Sequence, residues 1–78
     1  MTADKSLDCF GLLCPVPIIQ TAKALKGLKV GQVLEIQATD PGIQEDVPAW
    51  CRTTGQEFLG IEREGEVFKV YVRKRKEM

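Results

Sequence analysis

Two prolines one residue apart leave a polypeptide few choices. Pro15 and Pro17 each fix their own φ and supply no N–H, so together they would break a helix interior or a central strand. In the first turn of a helix they fit, because the N–H groups they lack would find no intrahelical partner there. The ten residues after them have helical spacing. Ile18, Ile19, Ala22 and Leu25 recur on one face, with Gln20, Lys23 and Lys26 on the other, and Gly27 ends the run behind the two lysines. The pattern predicts a helix starting at Pro15, with Pro15 at N1, Pro17 at N3 and Cys14 as the N-cap.

The rest of the chain is read outward from that point. Residues 6–10 form a short segment compatible with an edge strand. Over residues 32–38, Leu34, Ile36 and Ala38 alternate with Val33, Glu35 and Gln37, a strand with one dominant buried face. Asp40-Pro41 reads as an N-cap and N1 pair. Ile43, Val47, Trp50, Cys51 and Thr54 then line one helical face up to Gly55, although Pro48 predicts an irregular first turn and a regular helix only after Val47. Residues 57–63 and 67–73 flank Glu64-Gly65, a hairpin signal. The order strand, helix, strand, helix, strand, strand in one 78-residue domain predicts a two-layer α/β sandwich, βαβαββ, with a four-stranded mixed sheet and two helices on one face. Its other sheet face is expected to stay largely wet.

Composition bears on the chemistry. The chain has no histidine, which excludes Ser-His-Asp and Cys-His nucleophile pairs and every histidine-based metal site. It has three cysteines, and their spacing at 9, 14 and 51 matches no familiar zinc pattern. Neither a metal nor another cofactor is expected. At the predicted N-cap, the Cys14 sulfur faces the positive end of the helix dipole, with the N–H of Val16 as the nearest donor left to a thiolate. An unperturbed thiol near pKa ~8.5 is only about 3% ionised at pH 7, whereas a fall of two units makes it roughly three-quarters thiolate. Cys14 is therefore the candidate nucleophile, shaped by Pro15, Val16 and Pro17. The plain alternative is a buried filler at a helix start.

Other residues have blander readings to beat. Cys51 lies on the apolar stripe of the second helix and reads as core. Cys9 reads as a structural strand-end cysteine, with a secondary thiol five residues before Cys14 as the other possibility. Asp8 caps or orients the loop, or is an ordinary solvated charge. Eleven basic and eleven acidic residues cancel, which argues against a polyanion binder and against direct nucleic-acid binding. The cancellation is regional: residues 41–72 carry three basic and six acidic groups, and Arg73, Lys74, Arg75 and Lys76 stand against Glu77 alone. Those four cations read as a weak partner contact or as a solvated terminus. No membrane span or signal-peptide stretch is evident, so a cytoplasmic protein with free thiols is expected.

Asp8-Cys9-Phe10-Gly11-Leu12-Leu13-Cys14-Pro15-Val16-Pro17 resembles the N-terminal signature of the TusA (SirA-like) sulfur-carrier family, an Asp-x-x-Gly-Leu-x-Cys-Pro-x-Pro segment opening the first helix. Asp46-Val47-Pro48-Ala49-Trp50-Cys51, running on to Gly55, is similar to that family's second-helix segment. The resemblance implies a carrier holding sulfur as a persulfide on Cys14, with Asp8 and Gly11 as motif residues. It implies a cysteine desulfurase or rhodanese-type donor and a downstream acceptor protein, in tRNA thiolation, sulfur oxidation or molybdenum cofactor assembly. Many members have Gly-His-Glu where this chain has Gly55-Gln56-Glu57. Many tRNA-pathway carriers have Arg and Glu where this chain has Leu13 and Val16.

The residue chemistry points the same way, to a carrier rather than a stand-alone enzyme, since persulfide transfer needs one ionisable sulfur and no general base. Two other readings compete. One is a small RNA- or protein-binding regulatory module using the basic C-terminal residues. The other is a redox regulator using Cys9 and Cys14.

Overall fold

Alternation of apolar residues decides which strands sit inside the sheet. A computed structural model describes residues 2–13 and 15–77; Met1, Cys14 and Met78 lie outside the described residues. Its elements are β1 (Lys5–Cys9), α1 (Val16–Lys26), β2 (Val33–Ala38), α2 (Ile43–Thr54), β3 (Glu57–Glu64) and β4 (Val67–Arg73). The sheet order is β1-β2-β4-β3, with β1 parallel to β2 and the other neighbours antiparallel. The central pair β2 and β4 carries the cleanest apolar alternation. Leu34, Ile36, Val70 and Val72 are wholly buried beneath the helices. The chain adopts the expected two-layer α/β sandwich.

Both helices bury one stripe against that face. Each fully buried Leu, Ile or Val contributes about 1.5–3 kcal/mol. That scale explains why α2 is regular from Ile43, earlier than its Pro48 suggested. A helix-interior proline costs about 3 kcal/mol. Burying Ile43 and Val47 on the turn before it offsets that cost. Asp40 does not act as the N-cap; its carboxylate accepts the Gly42 N–H at 3.1 Å, and Gly42 is the capping residue. At the far end Gly55 takes φ +81° and donates its N–H to the Cys51 carbonyl at 2.9 Å, a left-handed cap that favours glycine.

In α1 the buried face differs from the expected one. Pro17, Thr21, Ala24 and Leu25 are buried, while Ile19 is 49% exposed. Thr21 tolerates complete burial because its hydroxyl donates to the Pro17 carbonyl at 2.7 Å.

The second sheet face also departs from expectation. It is covered by a hydrogen-bonded polar layer centred on Tyr71, which is only 2% exposed. The Tyr71 hydroxyl lies 2.8 Å from Glu35 and 3.2 Å from Glu62, and Glu35 also accepts from Ser6 and Gln37. Ser6, Glu35 and Tyr71 sit in register across β1, β2 and β4, and Glu62 reaches the same hydroxyl from β3.

Candidate functional site

The loop from β1 to α1 is built by short-range hydrogen bonds. Asp8 accepts the Phe10 N–H at 2.9 Å, so its carboxylate orients the chain as it leaves the strand. The Leu12 N–H closes a turn onto the Cys9 carbonyl at 3.2 Å, with Gly11 at φ +74° in the third position. A type II turn requires such an angle there, and glycine adopts it without strain. The Gly11 N–H donates to Thr39 Oγ1 at 3.2 Å, tying the loop to the end of β2. Nothing in the sequence marks Thr39 for this role, because a threonine after a strand is common. The chain then passes Leu13, 70% exposed, to reach position 14, which lies outside the described residues.

On the helix side the geometry corrects two expectations. The capping residue of α1 is Pro15, and Pro17 occupies N2, so the helix begins one place later than the sequence pattern suggested. The Val16 N–H is not left for a thiolate: it donates to the Leu13 carbonyl at 2.9 Å. The N–H groups of Ile18 and Ile19 both reach the Pro15 carbonyl, at 3.1 and 3.2 Å, and Pro17 has none. The first turn of α1 therefore presents no unpartnered amide. What remains for a group beside it is the aligned peptide dipoles, a favourable field for an anion of about 0.3–1 kcal/mol at an exposed helix end.

The two described thiols are both buried. Cys9 is wholly buried at the end of β1; burial raises its pKa, and the neighbouring Asp8 carboxylate raises it further. Cys51 packs in the core, where burial pushes its thiol up to about 11. A thiol that resists ionisation is a poor nucleophile.

The basic residues at the end of the chain are largely engaged. Arg73 and Arg75 both reach Glu57, at 3.2 and 3.3 Å. Lys74, expected among solvent-facing partner contacts, is fully buried instead. Its Nζ donates to the Leu28 carbonyl at 2.7 Å and lies 3.4 Å from Glu77. The Lys76 side chain runs alongside Gly55. Gln56 joins this assembly, accepting the Arg75 and Lys76 N–H groups at 2.8 and 3.3 Å and donating to the Lys76 carbonyl at 3.1 Å. In the sequence Gln56 stands out only as a departure from a family pattern.

A shallow cleft of about 380 Å³ is lined by Thr39, which holds the Gly11 loop, and by Pro41, Arg63, Glu66 and Phe68. The Arg63 guanidinium stacks over the Phe68 ring at 5.2 Å.

Several known proteins are similar to this chain. The family model described as Sulfurtransferase TusA matches residues 5–74. A putative sulfur carrier protein YrkF of Bacillus subtilis is 51% identical over 74 residues, covering 95% of this chain but 40% of the relative. YrkI of the same organism, also a putative sulfur carrier protein, is 43% identical, covering 95% of this chain and 99% of the relative. A sulfur carrier protein TusA of Allochromatium vinosum is 41% identical over 71 residues, 91% of this chain and 93% of its own. A crystal structure of a SirA-like protein from Desulfitobacterium hafniense superposes with TM-score 0.79 at 22% identity, covering 92% of this chain and 99% of that one. The superposition speaks for the fold.

Proposed function

The chain belongs to the TusA sulfurtransferase family, and from that premise we propose that residues 1–78 form one sulfur-carrier domain whose Cys14 holds sulfane sulfur as a persulfide. The observation that carries the assignment is the contrast among the three cysteines. Cys9 and Cys51 are buried with raised pKa values, whereas both neighbours of Cys14 are exposed and the helix field beyond them favours an anion.

The transfer needs little else. The Cys14 thiolate attacks the terminal sulfur of a donor persulfide, the donor's S–S bond breaks, and the donor leaves as a thiolate while the terminal sulfur, with its proton, passes to Cys14. The acceptor's thiolate repeats the exchange and releases Cys14 as the leaving group. Neither step changes the overall oxidation level, and a lowered Cys14 pKa helps the second by improving the leaving thiolate. The donor in this reading is a cysteine desulfurase or rhodanese-type protein and the acceptor a second protein, in the reducing cytoplasm, where such a thiol stays free. Among the described residues no helix is long and apolar enough to cross a membrane.

The reading based on nucleic-acid binding by the C-terminal cations loses its main support, since Lys74 is buried and Arg73 and Arg75 are paired.

Loading with thiosulfate and a rhodanese, or with cysteine and a cysteine desulfurase, tests the proposal by intact mass. A gain of one sulfur atom is expected in the wild type, Cys9→Ser and Cys51→Ala, and none in Cys14→Ser. Retention of the adduct in Cys14→Ser would reject the assignment.

A further inference from the structure

The cleft beside the Gly11 loop has no part in the exchange described above. It lies at the carboxyl end of β2, the strand paired in parallel with β1, and open α/β sheets leave room for ligands at such strand ends. Register builds it: Ala38, Phe68 and Arg63 stand side by side across β2, β4 and β3. Phe68 is only 3% exposed, and together with Pro41 it gives the space of about 380 Å³ an apolar lining.

Two opposite charges border the same space without an ion-pair partner. Arg63 is held in place, its Nε donating to the Gly65 carbonyl at 2.9 Å and its guanidinium lying 5.2 Å from the centre of the Phe68 ring. Neither its terminal amino groups nor the Glu66 carboxylate enters a salt bridge among the described residues. Thr39 accepts the Gly11 N–H at 3.2 Å and keeps its own hydroxyl proton to donate. A fixed cation, an anion and a hydroxyl around an apolar lining complement a zwitterion. A ligand carboxylate pairs with the Arg63 fork and a ligand ammonium with Glu66, whereas a simple inorganic anion is repelled by Glu66.

We infer that this cleft binds the α-amino-acid head of a low-molecular-weight peptide thiol, which exchanges sulfur directly with Cys14. The inference rests on the sulfur-carrier reading of Cys14. The three residues of chain from Gly11 to position 14 span at most about 11 Å, a distance that a thiol of di- or tripeptide length anchored beside Thr39 can cover. In loading, the Cys14 thiolate attacks the terminal sulfur of the small persulfide. That S–S bond breaks, the small thiol leaves as a thiolate, and the terminal sulfur passes with its proton to Cys14. The reverse exchange unloads Cys14 onto the same thiol, so one site serves both directions and no oxidant or reductant is consumed.

Binding and loading are measured separately so that the two ideas fail separately. Binding is followed on the Cys14→Ser chain by amide NMR shifts with S-methylglutathione, which carries the amino-acid head and no reactive sulfur. Loading is followed by intact mass on the otherwise wild-type chain with glutathione persulfide, with N-acetylcysteine persulfide, which lacks the ammonium, and with thiosulfate and a rhodanese. S-methylglutathione should shift the amides of Thr39, Glu66 and Phe68, and thiosulfate should not compete. Loading by glutathione persulfide should saturate. Its half-saturating concentration should rise about tenfold in Arg63→Gln and in Glu66→Gln with little change in the maximal rate, and Arg63→Lys should recover part of the loss. N-acetylcysteine persulfide and the rhodanese should load all these proteins equally. Melting curves identify any loss of fold. A linear dependence on glutathione persulfide, or equal half-saturation in every variant, would overturn the inference. So would competition by thiosulfate, which marks a plain anion site, or loss of rhodanese loading in Arg63→Gln, which assigns the cleft to a protein. If S-methylglutathione binding follows Arg63 and Glu66 but no donor places sulfur on Cys14, the carrier reading fails instead.

Discussion

Lys74 shows how far a single side chain can depart from the role its neighbours suggest. Within a run of four cations it is the buried one, with its ammonium held by the Leu28 carbonyl and by Glu77. Removing it leaves that carbonyl without a donor and opens a cavity where the stem lay. Lys74→Ala should lower unfolding stability by about 2–3 kcal/mol and Lys74→Met by about half of that, as read by urea denaturation. Equal stability of all three proteins would contradict this role. The buried thiols add a pH dependence. Cys51 ionises near 9.0 when unfolded and at about 11 when folded, so the folded state favours its neutral form. That contribution is complete below pH 9 and disappears as pH rises through 11. Cys51→Ala should therefore flatten the alkaline fall in stability over that interval, measured by denaturation at stepped pH.

At the scale of elements, the turn from α2 into β3 carries a sharp requirement. Gly55 holds φ +81°, and a methyl group there would stand 2.9 Å from Cδ and Nζ of Lys76. The lysine end can swing away, so the backbone angle dominates. Gly55→Ala should cost about 1–2 kcal/mol, with faster amide exchange at Arg75 and Lys76, whose N–H groups Gln56 holds. Unchanged stability would show that the cap relaxes without strain.

The elements themselves are largely legible in the sequence. Alternation locates β2 and β4, and the double proline locates the start of α1 to within one residue. The buried face of α1 is not legible. Ile19 looks like core in any periodicity argument, yet it is half exposed, while Thr21 is buried through a hydrogen bond that hydropathy does not register. Periodicity cannot distinguish an apolar residue that packs inside its own chain from one left for a partner. The start of α2 departs from expectation for a different reason: the local penalty of Pro48 is visible in the sequence, but the tertiary burial that offsets it is not.

At the scale of the molecule, the two sheet faces and the two ends have separate tasks. One face packs the helices. The other is a satisfied polar layer in which Glu35, its pKa lowered chiefly by the Gln37 amide, accepts from the Tyr71 hydroxyl. The C-terminal residues pack back against Leu28, Gly31 and Gln56. Asp8 and Gly11 shape the loop through hydrogen bonding and backbone angle, but the Val16 amide expected to face the sulfur is already bonded to Leu13. The described amides of the first turn are all bonded, and the field of the helix is what that turn still offers an anion.

In the proposed carrier one sulfur of the three, that of Cys14, holds the cargo. Loading the wild-type chain from thiosulfate and a rhodanese, or from cysteine and a cysteine desulfurase, and then applying fragment-resolved mass spectrometry locates the added atom directly. A single extra sulfur on Cys14 is expected, with Cys9 and Cys51 unmodified until the protein is unfolded. An added sulfur on Cys9 or Cys51 of the native chain, with Cys14 bare, would contradict it.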